Sequence, residues 1–159
     1  MNWRFDWSVV SSGQYLDWLI AGLLTTLKLA GVSIVLALGL GLVIAVLRLS
    51  PLRLLRGLAS AYLEFIRNTP LLIQIFFWYF GAYQVLPAAV NDWLTQRDFE
   101  FAAAVIALTL YTAAFIAEDI RSGVRAIPRE QMEAARASGL SYVRVMLCVI
   151  ISLAVRTTV

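Results

Sequence analysis

The sequence predicts an all-α fold, a polytopic bundle of membrane-spanning helices, and three observations carry that expectation. Apolar residues make up 61% of the 159-residue chain and charged residues only 14%, where a soluble domain is closer to one-quarter charged. The mean hydropathy is +0.80. The apolar residues gather into runs near the length of roughly 20 that crosses a hydrocarbon core as a helix, and the arginines collect between those runs.

The elements follow in order. A first span is expected at about 19–47, with Lys28 toward its outer part and Gly31, Gly39 and Gly41 along it as close-packing points between helices. A second is expected at about 69–86, with a possible backward extension through Ala59 to Ile66, and a third at about 101–121, its helix running on toward Arg125. A fourth is expected at about 143–159, after a charged segment at about 126–142. Pro51, Pro70, Pro87 and Pro128 stand at or near the proposed boundaries, where a missing N–H costs least. With no internal repeat and no low-complexity linker, the chain reads as one domain.

Orientation follows from the basic residues. The first connection holds Arg48, Arg53 and Arg56 with no acid before Glu64, and the third holds Arg121, Arg125, Arg129, Arg136 and Arg144. The second, from Pro87 to Glu100, sets Asp92, Asp98 and Glu100 against Arg97. Cytoplasmic loops concentrate Lys and Arg, so the first and third connections face inward and the N-terminus faces outward. Trp3, Trp7, Trp18 and Trp93 suit the outer interface. Met1 to Trp18 lacks the basic start and short apolar core of a cleavable signal, so none is expected.

Composition also narrows the chemistry. The chain has no His and one Cys, Cys148, set in an apolar run. The commonest general base and metal ligand is therefore missing, and a lone thiol forms neither an internal disulfide nor a cluster. No paired carboxylates fall in the centre of a span, and no G-x-x-x-x-G-K-[ST] phosphate loop occurs. The expectation is a non-enzyme that needs no metal or cofactor. A net charge of +3, carried near segment ends, fits membrane orientation rather than nucleic-acid binding.

Charged residues close to apolar runs are the candidates for function. Glu64 and Arg67 are three apart, as are Glu118 and Arg121, so each pair shares a helix face. The plain reading of either pair is an interfacial ion pair. The functional reading is a polar path, because ionisable groups at membrane depth face a bundle interior or an aqueous cavity. An amino acid carries both an ammonium and a carboxylate, which suits a path offering Glu and Arg together. Asn68 and Gln74 would add neutral hydrogen bonds. The aromatic run Phe76 to Phe80 reads as a lipid-facing belt, and Lys28 as a side chain that snorkels outward.

Three stretches carry a family resemblance. Glu133-Ala134-Ala135-Arg136-Ala137-Ser138-Gly139 has the form E-A-A-x-x-x-G. Tyr62 to Tyr79, with Glu64, Arg67-Asn68-Thr69-Pro70 and Gln74, is the second. Tyr111 to Gln131, with Glu118, Arg121, Gly123, Arg125 and Pro128, is the third. In this order they resemble the permease subunits of ATP-binding-cassette (ABC) importers for polar amino acids, with Phe5-Asp6-Trp7, Thr25-Thr26-Leu27-Lys28 and Leu86-Pro87 leaning toward the glutamate/aspartate importers.

The resemblance implies a type I ABC-importer permease fold in a bacterial inner membrane. It implies a cytoplasmic coupling loop in which Glu133, Ala134, Ala135 and Gly139 dock a separate ATPase. It also implies a periplasmic amino acid-binding protein on the outer face and a second permease chain, since three or four helices do not enclose a solute path alone. The chain departs from the family at Ile151-Ser152, where a Leu-Pro step is usual. The family pattern also runs on by about one helix and a tail past Val159. A C-terminally truncated member is therefore expected, and a non-transporting remnant or scaffold of the same family is the alternative.

Overall fold

Proline sets the helix boundaries. The computed structural model describes residues 13–95 and 98–125, and every regular element among them is helical. Helix α1 (Gln14–Leu49) ends where Ser50, held extended by Pro51, donates its N–H to the Leu47 carbonyl. Helix α2 (Arg53–Asn68) ends at Thr69, extended in the same way before Pro70. Helix α3 (Leu71–Phe76), a π-helical turn (Phe77–Gly81) and helix α4 (Ala82–Val85) follow without a gap as one rod. The rod stops at Leu86, again extended, before Pro87. The short helix α5 (Ala88–Thr95) leads to the long helix α6 (Phe99–Arg125).

Two ends are set by other means. Gly13 takes a positive φ of 78° at the start of α1, a conformation that costs glycine nothing. Asp98 has a φ of 70°, tolerated better by Asp than by most side chains, and its carboxylate accepts the Phe101 N–H at 3.3 Å. Asp98 thus caps α6, and Glu100 in the first turn adds negative charge where the helix dipole favours it.

The centre of the fold is the packing of α1 against α6, the most extensive helix contact. On α1, Ser33, Ala37, Gly41 and Ala45 recur every fourth residue and are all buried. On α6, Ala103, Ala107, Ala113, Ala114 and Ala117 are buried in turn. Small residues let two backbones approach, which drives association where lipid removes the hydrophobic force. A Cβ on Gly41 would lie 2.8 Å from Ile116 Cγ2 and 3.1 Å from the Ala113 carbonyl oxygen. Gly31 and Gly39, expected as packing points too, have nothing within 4 Å of such a Cβ. They fall on other faces of α1, so only Gly41 plays the role expected of all three.

Helix α2 lies across this pair. Ala59, Leu63 and Ile66 join Ile44, Ala45, Ala113, Ala114 and Ala117 in the core. The residues expected as a connection, with Arg53 and Arg56, are therefore the first turn of a separate amphipathic helix. It has three faces. Ala59, Tyr62, Leu63 and Ile66 pack inward. Arg53, Arg56, Ser60, Glu64 and Arg67 form a polar stripe. Leu54, Leu58 and Phe65 form an apolar strip that is well exposed.

Helices α1 and α6 are each long and apolar enough to cross a membrane. The expected stretch 19–47 falls within α1, 101–121 falls within α6, and most of 69–86 falls on the α3–α4 rod. The expected segment 126–142 and fourth span 143–159 lie outside the described residues. Phe76, Phe77, Tyr79 and Phe80 are exposed along the rod, as is Lys28 on α1.

Gly41→Val is expected to destabilise the protein by about 1–3 kcal/mol, because the added atoms overpack the α1–α6 contact. Gly39→Val, facing open space, is expected to be neutral within about 0.5 kcal/mol. Thermal unfolding of both variants in the same detergent checks the contrast; equal losses would contradict the packing described.

Candidate functional site: a charged cleft between three helices

The site begins with how α2 is fixed. Tyr62 on its inward face donates its hydroxyl to the Leu110 carbonyl of α6 at 2.6 Å. At its C-terminal end the last carbonyls lack helical partners, as at any helix end. Gln74, four residues past Pro70, answers this. Its side-chain amide donates to the Ile66 carbonyl and to the Thr69 carbonyl, each at 2.9 Å. Gln74 is buried and joins the end of α2 to the start of α3. Expected as a hydrogen-bonding group of a polar path, Gln74 turns its amide to these two carbonyls and does not line the cleft described next.

With α2 held there, Glu64 and Arg67 at the C-terminal end of its polar stripe face the ends of α1 and α6. Arg48, Leu63, Glu64, Arg67, Asn68, Phe115 and Glu118 line an open cleft of about 410 Å³. That volume lies within the range of roughly 300–1,000 Å³ common for small-molecule sites. Of the residues singled out in the sequence, Glu64, Arg67, Asn68 and Glu118 meet here. Arg121 stands one turn beyond Glu118 and is joined to it.

The two i,i+3 pairs behave differently. Arg121 Nε donates to both Glu118 carboxylate oxygens at 3.0 Å, and its terminal nitrogen also donates to Glu118 Oε1. This charge-assisted, multiply bonded pair fixes the Glu118 side chain. Glu64 and Arg67 make no such ion pair. The Arg67 guanidinium sits over the Phe115 ring instead, 5.5 Å from its centroid, a cation–π arrangement that leaves its N–H donors without an ion-pair partner among the described residues. Among the described residues, Glu118–Arg121 is the ion pair within 4 Å.

Arg48 and Phe115 were missed in the sequence. Arg48 was read as part of the inward-facing first connection; it lies instead in the last turn of α1, and the parallel packing of α1 and α6 brings it beside Glu118. A weak signal for α2 did exist: Arg53, Arg56, Ser60, Glu64 and Arg67 recur at three- and four-residue spacing, the period of one helical face. Glu133, Ala134, Ala135 and Gly139 lie outside the described residues.

A helical membrane bundle with an open charged cleft near the ends of its two long helices is the class of protein that fold and site define, and comparison with known proteins narrows it. Residues 37–159 match the family described as binding-protein-dependent transport system inner membrane component. A probable glutamine ABC transporter permease protein, GlnM of Bacillus subtilis, is 44% identical over 76% of this chain and 51% of its own length. The glutamate/aspartate import permease protein GltJ of Escherichia coli is 34% identical over 80% of this chain and 53% of its own. A nopaline transport system permease protein, NocM of Agrobacterium fabrum, is 40% identical over 77% and 52%. This chain thus spans about half the length of these relatives. A crystal structure of an amino acid ABC transporter with histidines superposes with a TM-score of 0.74 at 35% identity, covering 96% of this chain and 66% of that one. The chain belongs to the binding-protein-dependent transport system inner membrane component family, and its fold is the helical bundle of an amino acid ABC permease.

Gln74→Leu leaves the Ile66 and Thr69 carbonyls without their donor and is expected to cost about 1–3 kcal/mol. Tyr62→Phe removes one interhelical hydrogen bond, worth on the order of 0.6 kcal/mol in a membrane protein. Unfolding in detergent should rank Gln74→Leu as the more damaging change; the reverse order would contradict the role given to Gln74.

Proposed function

We propose that this chain is a permease subunit of an ABC importer for polar amino acids of the glutamate/aspartate kind. It lies in a bacterial inner membrane with its N-terminus outside. The observation that carries this reading is the cleft. Two cationic and two anionic side chains, with Asn68 beside them, converge where two apolar spans and an amphipathic helix meet. At the ends of the two spans, charges on these faces are free to meet water or solute rather than hydrocarbon. Glu64, Arg67, Asn68 and Glu118 form part of the solute path, and Arg121 orients Glu118.

The dimensions of α1 support the membrane placement. Lys28 and Arg48 are about 20 residues, or roughly 30 Å, apart on one helix, the thickness of a hydrocarbon core. The chain acts as one permease domain, with crossings at about 19–47, 69–86, 101–121 and 143–159 and a coupling loop at about 126–142. In that loop Glu133, Ala134 and Ala135 dock the ATPase, and Gly139 allows the turn that follows. Hydrolysis belongs to that ATPase, delivery to a periplasmic amino acid-binding protein, and closure of the path to a second permease chain. The relatives named above include permeases for glutamine, glutamate/aspartate and nopaline, so the family accommodates several polar solutes.

The test is uptake by the assembled importer. Arg67→Ala is expected to lower amino acid uptake by about tenfold or more, in line with the loss of a charged solute contact of about 1.5–3 kcal/mol, while subunit assembly and basal ATP hydrolysis persist. Glu133→Arg in the same preparation is expected to abolish retention of the ATPase. Normal uptake by Arg67→Ala would reduce the cleft charges to helix anchors, and unaltered ATPase retention would remove the docking role.

A further inference from the structure

We infer that Arg48 and Arg67 form a double carboxylate-recognition site, so that the cleft selects an α-amino acid bearing a second carboxylate. This rests on reading the cleft as part of the solute path and names what that path prefers.

The charges left in the cleft once the internal pair is set aside decide its preference. Glu118 is engaged by Arg121 through several charge-assisted hydrogen bonds. That leaves Arg48, Arg67 and Glu64 lining the cleft with no ion-pair partner within 4 Å among the described residues. Among the described residues of the lining, two guanidiniums and one carboxylate remain. A dicarboxylic amino acid at neutral pH carries two carboxylates and one ammonium, matching them charge for charge. A neutral amino acid leaves one guanidinium without a partner, and a basic one sets a second cation beside two others.

Geometry divides the roles. Glu64 and Arg67 are three apart on α2, neighbours about 5–6 Å apart at their Cβ atoms. That spacing suits the α-ammonium and α-carboxylate, which share one carbon. Arg67 is held over Phe115 by its face, so its N–H fork stays available for two parallel bonds to a carboxylate. Arg48 stands on another helix, in the last turn of α1, and is left for the distal carboxylate. Asn68, on the same rim, offers a neutral amide to either group. Arg67 and Glu64 therefore hold what every amino acid has, and Arg48 reads what distinguishes an acidic one.

The test is equilibrium binding of radiolabelled L-glutamate and, separately, L-glutamine to the full chain in nanodiscs of neutral lipid, with aspartate and lysine as competitors. Wild type is expected to favour glutamate over glutamine by about tenfold or more, since only the distal carboxylate of glutamate makes charge-assisted hydrogen bonds to the half-buried Arg48. Aspartate should compete well and lysine poorly. Arg48→Gln is expected to keep glutamine binding and bring the two affinities within about twofold of each other. Arg48→Lys, retaining a cation, keeps glutamate ahead. Arg67→Gln weakens both ligands together. A wild type that prefers glutamine or lysine, an Arg48→Gln protein that keeps the full preference, or one that loses both ligands overturns the assignment of Arg48 while leaving the cleft as an amino acid path. Failure of wild type to bind any of the four amino acids overturns both.

Discussion

Everything described depends on the close approach of α1 and α6. Side chains on both helices are small where the two meet, and at Gly41 there is room for none at all. This contact fixes the relative height of two long helices, and with it the height of every group they carry. Because they run in the same direction with Gly41 beside Ala113 and Ile116, Arg48 at the end of one meets Glu118 near the end of the other. Larger residues at these positions would separate the helices and the charges with them. The same narrow waist leaves a shallow seat into which Leu63 and Ile66 of α2 pack.

Helix α2 turns that frame into a site. It carries three chemistries on one cylinder, and each has a different neighbour. Its inward face is held by apolar packing and by the Tyr62 hydroxyl on Leu110. Its end is held by the Gln74 amide across the Pro70 break. Its polar stripe is then free to face the cleft without contributing to the hold. This division explains why the cleft can keep unpaired charges. The stability of the local structure rests on other groups, so Arg48, Arg67 and Glu64 need not neutralise one another.

Much of the fold was legible because its signals are local. Pro51, Pro70 and Pro87 each impose an extended residue before them, and the helices stop there. Long apolar runs mark α1 and α6, and the i,i+3 spacing of Glu118 and Arg121 becomes a bonded pair. What escaped depends on a second helix. The same spacing in Glu64 and Arg67 yields no pair, because Phe115 of α6 offers Arg67 a competing surface. Gly31, Gly39 and Gly41 look alike in sequence, and only the position of α6 singles out Gly41. Gln74 carries no local mark of its capping task, since its acceptors belong to the helix before a proline. Arg48 is an ordinary span-closing arginine until the α1–α6 register sets it beside Glu118.

The central claim is that water and solute reach the cleft while the outer faces of the same helices meet lipid. Single cysteines at Asn68, Phe115, Val35 and Val43, each in a Cys148→Ser background and in membranes, test it most directly through reaction with a charged, water-soluble thiol reagent. Cysteines at 68 and 115 are expected to react, and an acidic amino acid is expected to slow them. Those at 35 and 43, on the exposed apolar face of α1, are expected to stay unmodified. Equal reactivity at all four positions, or a silent residue 68 beside a reactive residue 43, would contradict the account.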